Sequence, residues 1–257
     1  MVRKALLQGV FAMGVAGAVL LSGACGMATK QYADDAKIDQ PIRSVLVAGD
    51  SGSVKIRTGN DTNVHRDVHH ISDRPGPTHR IDGDVLILES CPVRDCWVDY
   101  DVVVPADVTI TGKLDSGDVS IDGAKSINLT AHSGDVTVRK VSGSVNLDVD
   151  SGTVDVADIG DNVSIEASSG DVKANQVAGS VDVGSSSGDI EVSLSEVGSV
   201  KTRSSSGDVR ITVPQGKYRV TADVDSGSLD NGVGDDQSAT DKVDVSANSG
   251  DVSIKFA

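Results

Sequence analysis

Aromatic side chains are nearly missing from this chain: Phe, Tyr and Trp make up 2% of its 257 residues. Sugar-cleaving sites on β-helical enzymes need rings as platforms, so this shortage weighs against that catalytic class. Cationic residues are scarce as well. Against 38 Asp and Glu there are 23 Lys and Arg, and the formal charge is −15. A surplus of negative charge disfavours nucleic acid and any direct grip on phosphate surfaces. Long apolar runs are missing too. The longest, Ala5–Leu21, is 17 residues rich in Gly and Ala and interrupted by Gln8. That is short for a membrane span, and no basic stop follows it. Cysteine occurs three times, at Cys25, Cys91 and Cys96.

What is present at the start decides the compartment. Arg3 and Lys4 precede the apolar run, which closes on Leu21-Ser22-Gly23-Ala24-Cys25. A basic start, an apolar core and a small-residue cleavage site form a secretory signal, expected to span residues 1–24. The last five residues resemble a lipobox, with Ser22 departing from the commonest Leu. The resemblance implies lipidation of Cys25 and a mature chain anchored to the membrane on the outer face of the cell. Loss of Arg3 and Lys4 lowers the formal charge to −17. Residues 25–40 are polar, lack a sustained apolar stripe and are expected to be a tether. In an exported protein the close pair Cys91 and Cys96 reads as a structural disulfide.

From Pro41 onward short β-branched segments alternate with Gly, Asn, Asp and Pro clusters. Ser44–Val47, Val54–Arg57, Val85–Leu88 and Trp97–Val104 read as strands. Beyond residue 112 a period emerges. Ser-Gly-Asp-Val or a close variant starts at Ser116, Ser133, Ser151, Ser169, Ser187, Ser206, Ser226 and Ser249. A weaker series, such as Ser142-Gly143-Ser144-Val145 and Ala178-Gly179-Ser180-Val181, falls about halfway between. A fixed period of this kind marks a solenoid. Gly supplies the positive φ of a corner, and Ser and Asp bond the turn backbone. Apolar residues then alternate toward one side of each strand. Val119 and Ile121, Val136 and Val138, Val154 and Val156, Ile190 and Val192, and Val209 and Ile211 are expected to line one wall. Ile127 and Leu129, Val145 and Leu147, Val163 and Ile165, and Val181 and Val183 line the other. A core between two such walls leaves no room for rings.

The predicted fold is therefore all-β: a single-stranded parallel β-helix over residues 113–257 with about 18 residues per coil. Residues 41–112, with the disulfide, Trp97 and Tyr100, form an N-terminal β cap. About seven coils make a rod roughly 35 Å long, with Asn231–Thr240 a loop before the last coil.

With these units in view, the sequence resembles the bacterial β-strand-repeat "putative adhesin" domains, a family of unknown function found in many actinobacterial lipoproteins. The similarity runs from about Val45 to the C-terminus and includes Val98-Asp99-Tyr100 and Val213-Pro214-Gln215-Gly216-Lys217-Tyr218. It implies a parallel β-helix on the cell surface and supplies no catalytic residues.

Several short motifs resemble sharper chemistries. Gly49-Asp50-Ser51-Gly52 looks like a trypsin-type nucleophile segment, but every His follows Ser51 in the chain. Asp115, Asp150 and Asp225 sit in Asp-Ser-Gly motifs like those of aspartic proteases. Other repeats carry His132, Ser168, Ser186, Ser205 or Asn248 there, as a solvent-facing slot would. Corner aspartates Asp118, Asp135, Asp171, Asp189, Asp208 and Asp251 could stack into a ladder that a divalent cation would relieve. His65, Asp67 and His69 would share a strand face that could hold zinc, with His70 and His79 nearby. The reading adopted assigns no catalytic residue, metal or cofactor. It expects a non-catalytic envelope module that meets an unidentified protein or glycan and no nucleic acid. A calcium- or zinc-dependent surface binder is the alternative.

Overall fold

A computed structural model describes residues 29–257; Cys25 and the expected signal lie outside them. The described residues form 23 strands and no helix. At the N-terminal end are β1 (Lys30–Ile38), β2 (Ser44–Ser51), β3 (Val54–Thr58), β4 (Thr62–His70), β5 (His79–Asp82), β6 (Val85–Glu89) and β7 (Cys96–Val104). The middle runs through β8 (Thr109–Ser116), β9 (Val119–Ala124), β10 (Ser126–Ser133), β11 (Val136–Val141), β12 (Val145–Ser151) and β13 (Val154–Ile159). It continues through β14 (Val163–Ser169), β15 (Val172–Val177), β16 (Val181–Ser185), β17 (Ile190–Leu194), β18 (Val200–Ser204) and β19 (Val209–Val213). The last four are β20 (Arg219–Ser226), β21 (Leu229–Asn231), β22 (Lys242–Ser249) and β23 (Val252–Phe256).

Two walls result, one of 12 strands and one of 11. Each coil gives one strand to each wall, and neighbouring coils pair in parallel register, as Val145 with Val163 and Val136 with Val154 show. The β-helix read from the repeat is the observed fold, and all 18 predicted wall residues are buried between the sheets. Rings are kept to the ends of the stack. Tyr100 and Tyr218 are buried there with their hydroxyls bonded to backbone carbonyls.

The ends depart from the expected order. In space β6 and β7 form the outer coil, with β2 and β3 between them and β8 and β9. At the other end β22 and β23 insert between β18–β19 and β20–β21. The last coil of the sequence is thus the second-to-last in space. Residue 112 marks no break in the walls, because β2, β3, β6 and β7 belong to the same stack. Ten coils stack rather than seven, about 43 Å at 4.8 Å per step.

The expected tether needs correction in its described part, for Lys30–Ile38 is a strand paired antiparallel with β4. Its inward face carries Tyr32, Asp34, Ala36 and Ile38. No apolar stripe is visible there because one of the inward residues is a carboxylate that pairs with Arg66. On the other wall β5 lies antiparallel on β6.

Candidate functional site

The corners repeat because their backbone is in contact. In nine coils, from Gly52 to Gly250, the corner glycine has φ between +102° and +146°. At Gly170 a Cβ would stand 2.1 Å from the carbonyl oxygen of Gly152 in the adjacent coil. Only Gly meets both demands.

Corner aspartates do form the expected ladder, and the backbone neutralises it. Oδ1 of Asp118 accepts the N–H of Asp135 at 3.0 Å, and Oδ1 of Asp171 that of Asp189 at 2.9 Å. Asp189, Asp208 and Asp251 continue the series. At its end the Ser228 N–H and hydroxyl hold the Asp251 carboxyl below its ordinary range. A carboxylate that accepts backbone N–H bonds is stabilised as the anion without a cation. Among the described residues no group of three or more His, Cys, Asp or Glu is arranged to hold a metal.

The histidines divide between two environments. His65, Asp67 and His69 share the outer face of β4, as alternation predicts. His65 Nδ1 lies 2.8 Å from Asp35, a bond that raises its pKa, and His69 stacks on Trp97 at 4.7 Å. His70 is buried and contacts the Ser72 carbonyl, so it faces away from these two. His79 is half-buried, and burial, then Arg66, pushes its pKa down.

Beside His79 lies a network that sequence reasoning missed. Arg66, 6% exposed, grips both oxygens of Asp34 and also reaches Gly76 O and Thr78 Oγ1. Tyr100 Oη bonds Thr78 and the Glu89 carbonyl, and burial pushes its pKa up to about 12. The one signal available was an Arg at an inward position of an otherwise apolar alternation, Val64-His65-Arg66-Asp67-Val68. Cys91, in the loop after β6, is disulfide-bonded to Cys96, the first residue of β7.

On the outer walls charged side chains are pinned across coils. Arg139 forks onto Asp155 in the next coil. Arg203 reaches Asp182 and, two coils away, Glu166. Gly184 lies between, and a Cβ there would meet the Glu166 carboxylate at 2.0 Å. The Asp-Ser-Gly carboxylates lie in one outer column, where His132 separates Asp115 from Asp150 and Lys113 contacts Asp115 at 3.0 Å. A shallow groove of about 540 Å³ crosses five coils, lined by Ser144, Asn162, Ser164, Ser180, Lys201 and Asp244.

The family model Toastrack DUF4097 matches residues 92–255, more than half of the chain. The chain belongs to the Toastrack DUF4097 family. The match takes in both intercalated C-terminal strands, so the exchanged coil order at that end lies within the Toastrack region. A solved structure described as a "putative adhesin" from Bacteroides fragilis shares 15% identity with this Toastrack protein. It aligns over 89% of this chain and 97% of that one, with a TM-score of 0.50. A "putative cell adhesion protein" from Clostridium sporogenes aligns over 90% of this chain and 100% of its own, at 12% identity and a TM-score of 0.33. At 15% identity the likeness to the Bacteroides fragilis structure concerns the fold alone. No curated protein matches the sequence.

Proposed function

We propose that this Toastrack protein is a non-catalytic module of the cell surface, anchored through a lipid on Cys25 and meeting a protein or glycan partner along its walls. The observation that carries this reading is the outer surface. Short polar side chains run in register along ten coils, and charged ones are held by neighbours, as Arg203 is by Asp182 and Glu166. A rigid ladder of this kind suits recognition over an extended face, the mode solenoids use. The surface location is supported by the signal-like start, the lipobox-like residues before Cys25 and a disulfide suited to an oxidising compartment. It also agrees with the adhesin description carried by the Bacteroides fragilis structure.

The test has two arms. Cells grown with a labelled fatty acid should give a labelled, membrane-bound protein, and Cys25→Ser should lose both label and membrane retention. An unlabelled wild type, or a Cys25→Ser variant that stays on the membrane, removes the anchor. Photo-crosslinking from Ser164, inside the 540 Å³ groove, should capture an envelope component in intact cells. Hydrolysis of cell-wall glycans by the pure protein would overturn the non-catalytic reading. A calcium- or zinc-specific rise in melting temperature would replace it with the metal-dependent one.

A further inference from the structure

The two ends of the stack are finished differently. At the N-terminal end the walls close on antiparallel strands, β4 and then β1 beyond β7, and β5 beyond β6. Both edges are guarded. β5 has four residues, and β1 points Asp34 inward with Lys30, Asp35 and Lys37 beside it. Inward charge and short length are devices that stop edge pairing. At the C-terminal end the walls stop at β20 and β21, and among the described residues no strand pairs with their outer edges. The inward residues of β20 are Val220, Ala222 and Val224, all only partly buried although they pack on the core. Leu229, in register with the buried Val252, is 46% exposed because no further coil covers it.

We infer that this open end pairs with the same end of a second copy of the chain, β20 against β20 about a two-fold axis through Ala222. The register is written in the strand. Antiparallel pairing about Ala222 sets Val220 opposite Val224 and Arg219 opposite Asp225, while Thr221 meets Asp223. Apolar meets apolar, the one cation meets an anion, and no two like charges are opposed. Arg219 Nη2 bonds the Gln237 carbonyl and its Nε is buried without an acceptor, which leaves Nη1 to meet the partner's carboxylate. Arg219 N–H bonds inward to Asp241, so Ala222 and Val224 direct their backbone groups to the free edge. The Val220 N–H lies 3.2 Å from Asp235, a loop contact that yields on pairing. An axis that runs from one wall to the other also brings β21 toward its copy and covers Leu229. The contact is isologous and closes, and the guarded N-terminal ends stop it from propagating.

Sedimentation of the full chain in detergent tests this pairing. The wild type should show a reversible monomer–dimer equilibrium at micromolar concentration. Arg219→Asp or Asp225→Arg alone should weaken it roughly tenfold by opposing like charges twice per dimer. The double variant should restore it. Ala222→Cys should give a disulfide-linked dimer, whereas Ser164→Cys in mid-wall should not. Unchanged melting temperatures would confirm that each variant folds. A monomeric wild type, charge variants that leave the equilibrium unmoved, or open-ended oligomers would each overturn the inference.

Discussion

The N-terminal end and the repeats are held by different physics. The repeats rest on backbone: parallel register, corner glycines in contact and aspartates that accept N–H groups from the next coil. Such stacking works only if each coil repeats its neighbour, so the corners are nearly identical. The N-terminal end rests on side chains that occur once, namely Arg66 with Asp34, Tyr100 with Thr78, and the Cys91–Cys96 bridge. A stack can be extended by copying, whereas an end must be built. The walls add a second lesson, since in-register stacking puts like residues about 4.8 Å apart. Charged positions therefore vary between coils, as in Asp155, Lys173, Glu191 and Arg210 along one column.

The sharpest way to break the comparison is at a corner. Gly170→Ala should cost at least about 4 kcal/mol, by left-handed strain and by collision with Gly152. Gly76→Ala, with nothing within 4 Å of its Cβ, should be nearly neutral in the same urea titration. At the N-terminal end Arg66→Met should cost about 3 kcal/mol by leaving Asp34 and the Gly76 carbonyl unpaired, somewhat less than a fully buried pair because Asp34 is partly exposed. Its effect should appear first as faster hydrogen exchange in β1 and β4. Cys91→Ser should cost about 2 kcal/mol, the loop-closure entropy of so small a ring. A repeat can also be improved. Thr202 Oγ1 is buried without a partner in a column of Val183 and Val245, so Thr202→Val should add about 1 kcal/mol.

The smallest effect is on pH. Burial favours neutral His79, so its contribution is present above the ordinary imidazole value and is lost as pH falls through its lowered folded value. Asp34, lowered chiefly by its bond from Arg66, acts in the same direction at lower pH. His65 acts oppositely: its bond to Asp35 stabilises below the ordinary value and fades as pH rises through the raised one. Protection in β5, corrected for the intrinsic exchange rate, should therefore fall on acidification below about pH 6.5, and His79→Asn should flatten that response.

The repeats were legible because period, alternation and corner chemistry all state the same structure. Val156 and Ile165 could be placed on their walls from spacing alone. Coil order at the ends was not legible. Inserting β22–β23 before β20–β21 leaves every inward and outward position unchanged, so no residue marks it. β1 carries no apolar stripe to mark it as a strand, because its buried face spends a position on Asp34. A column of left-handed residues at Lys140, Asp158 and Gln176 was also hidden, since none is Gly. Of the candidate site, the outer face shared by His65, Asp67 and His69 followed from alternation. Their partners Asp35 and Asp99 did not, because pairing between distant strands leaves no local trace.

Native-state hydrogen exchange read by mass spectrometry tests the stack most directly. If the last coil is intercalated, Lys242–Phe256 should be protected like the central coils in the monomer, at concentrations below the dimer range, while Arg219–Asn231 at the free edge exchanges faster. Protection that falls steadily from β18 to the C-terminus, with Arg219–Asn231 slower than Lys242–Phe256, would contradict the exchanged order.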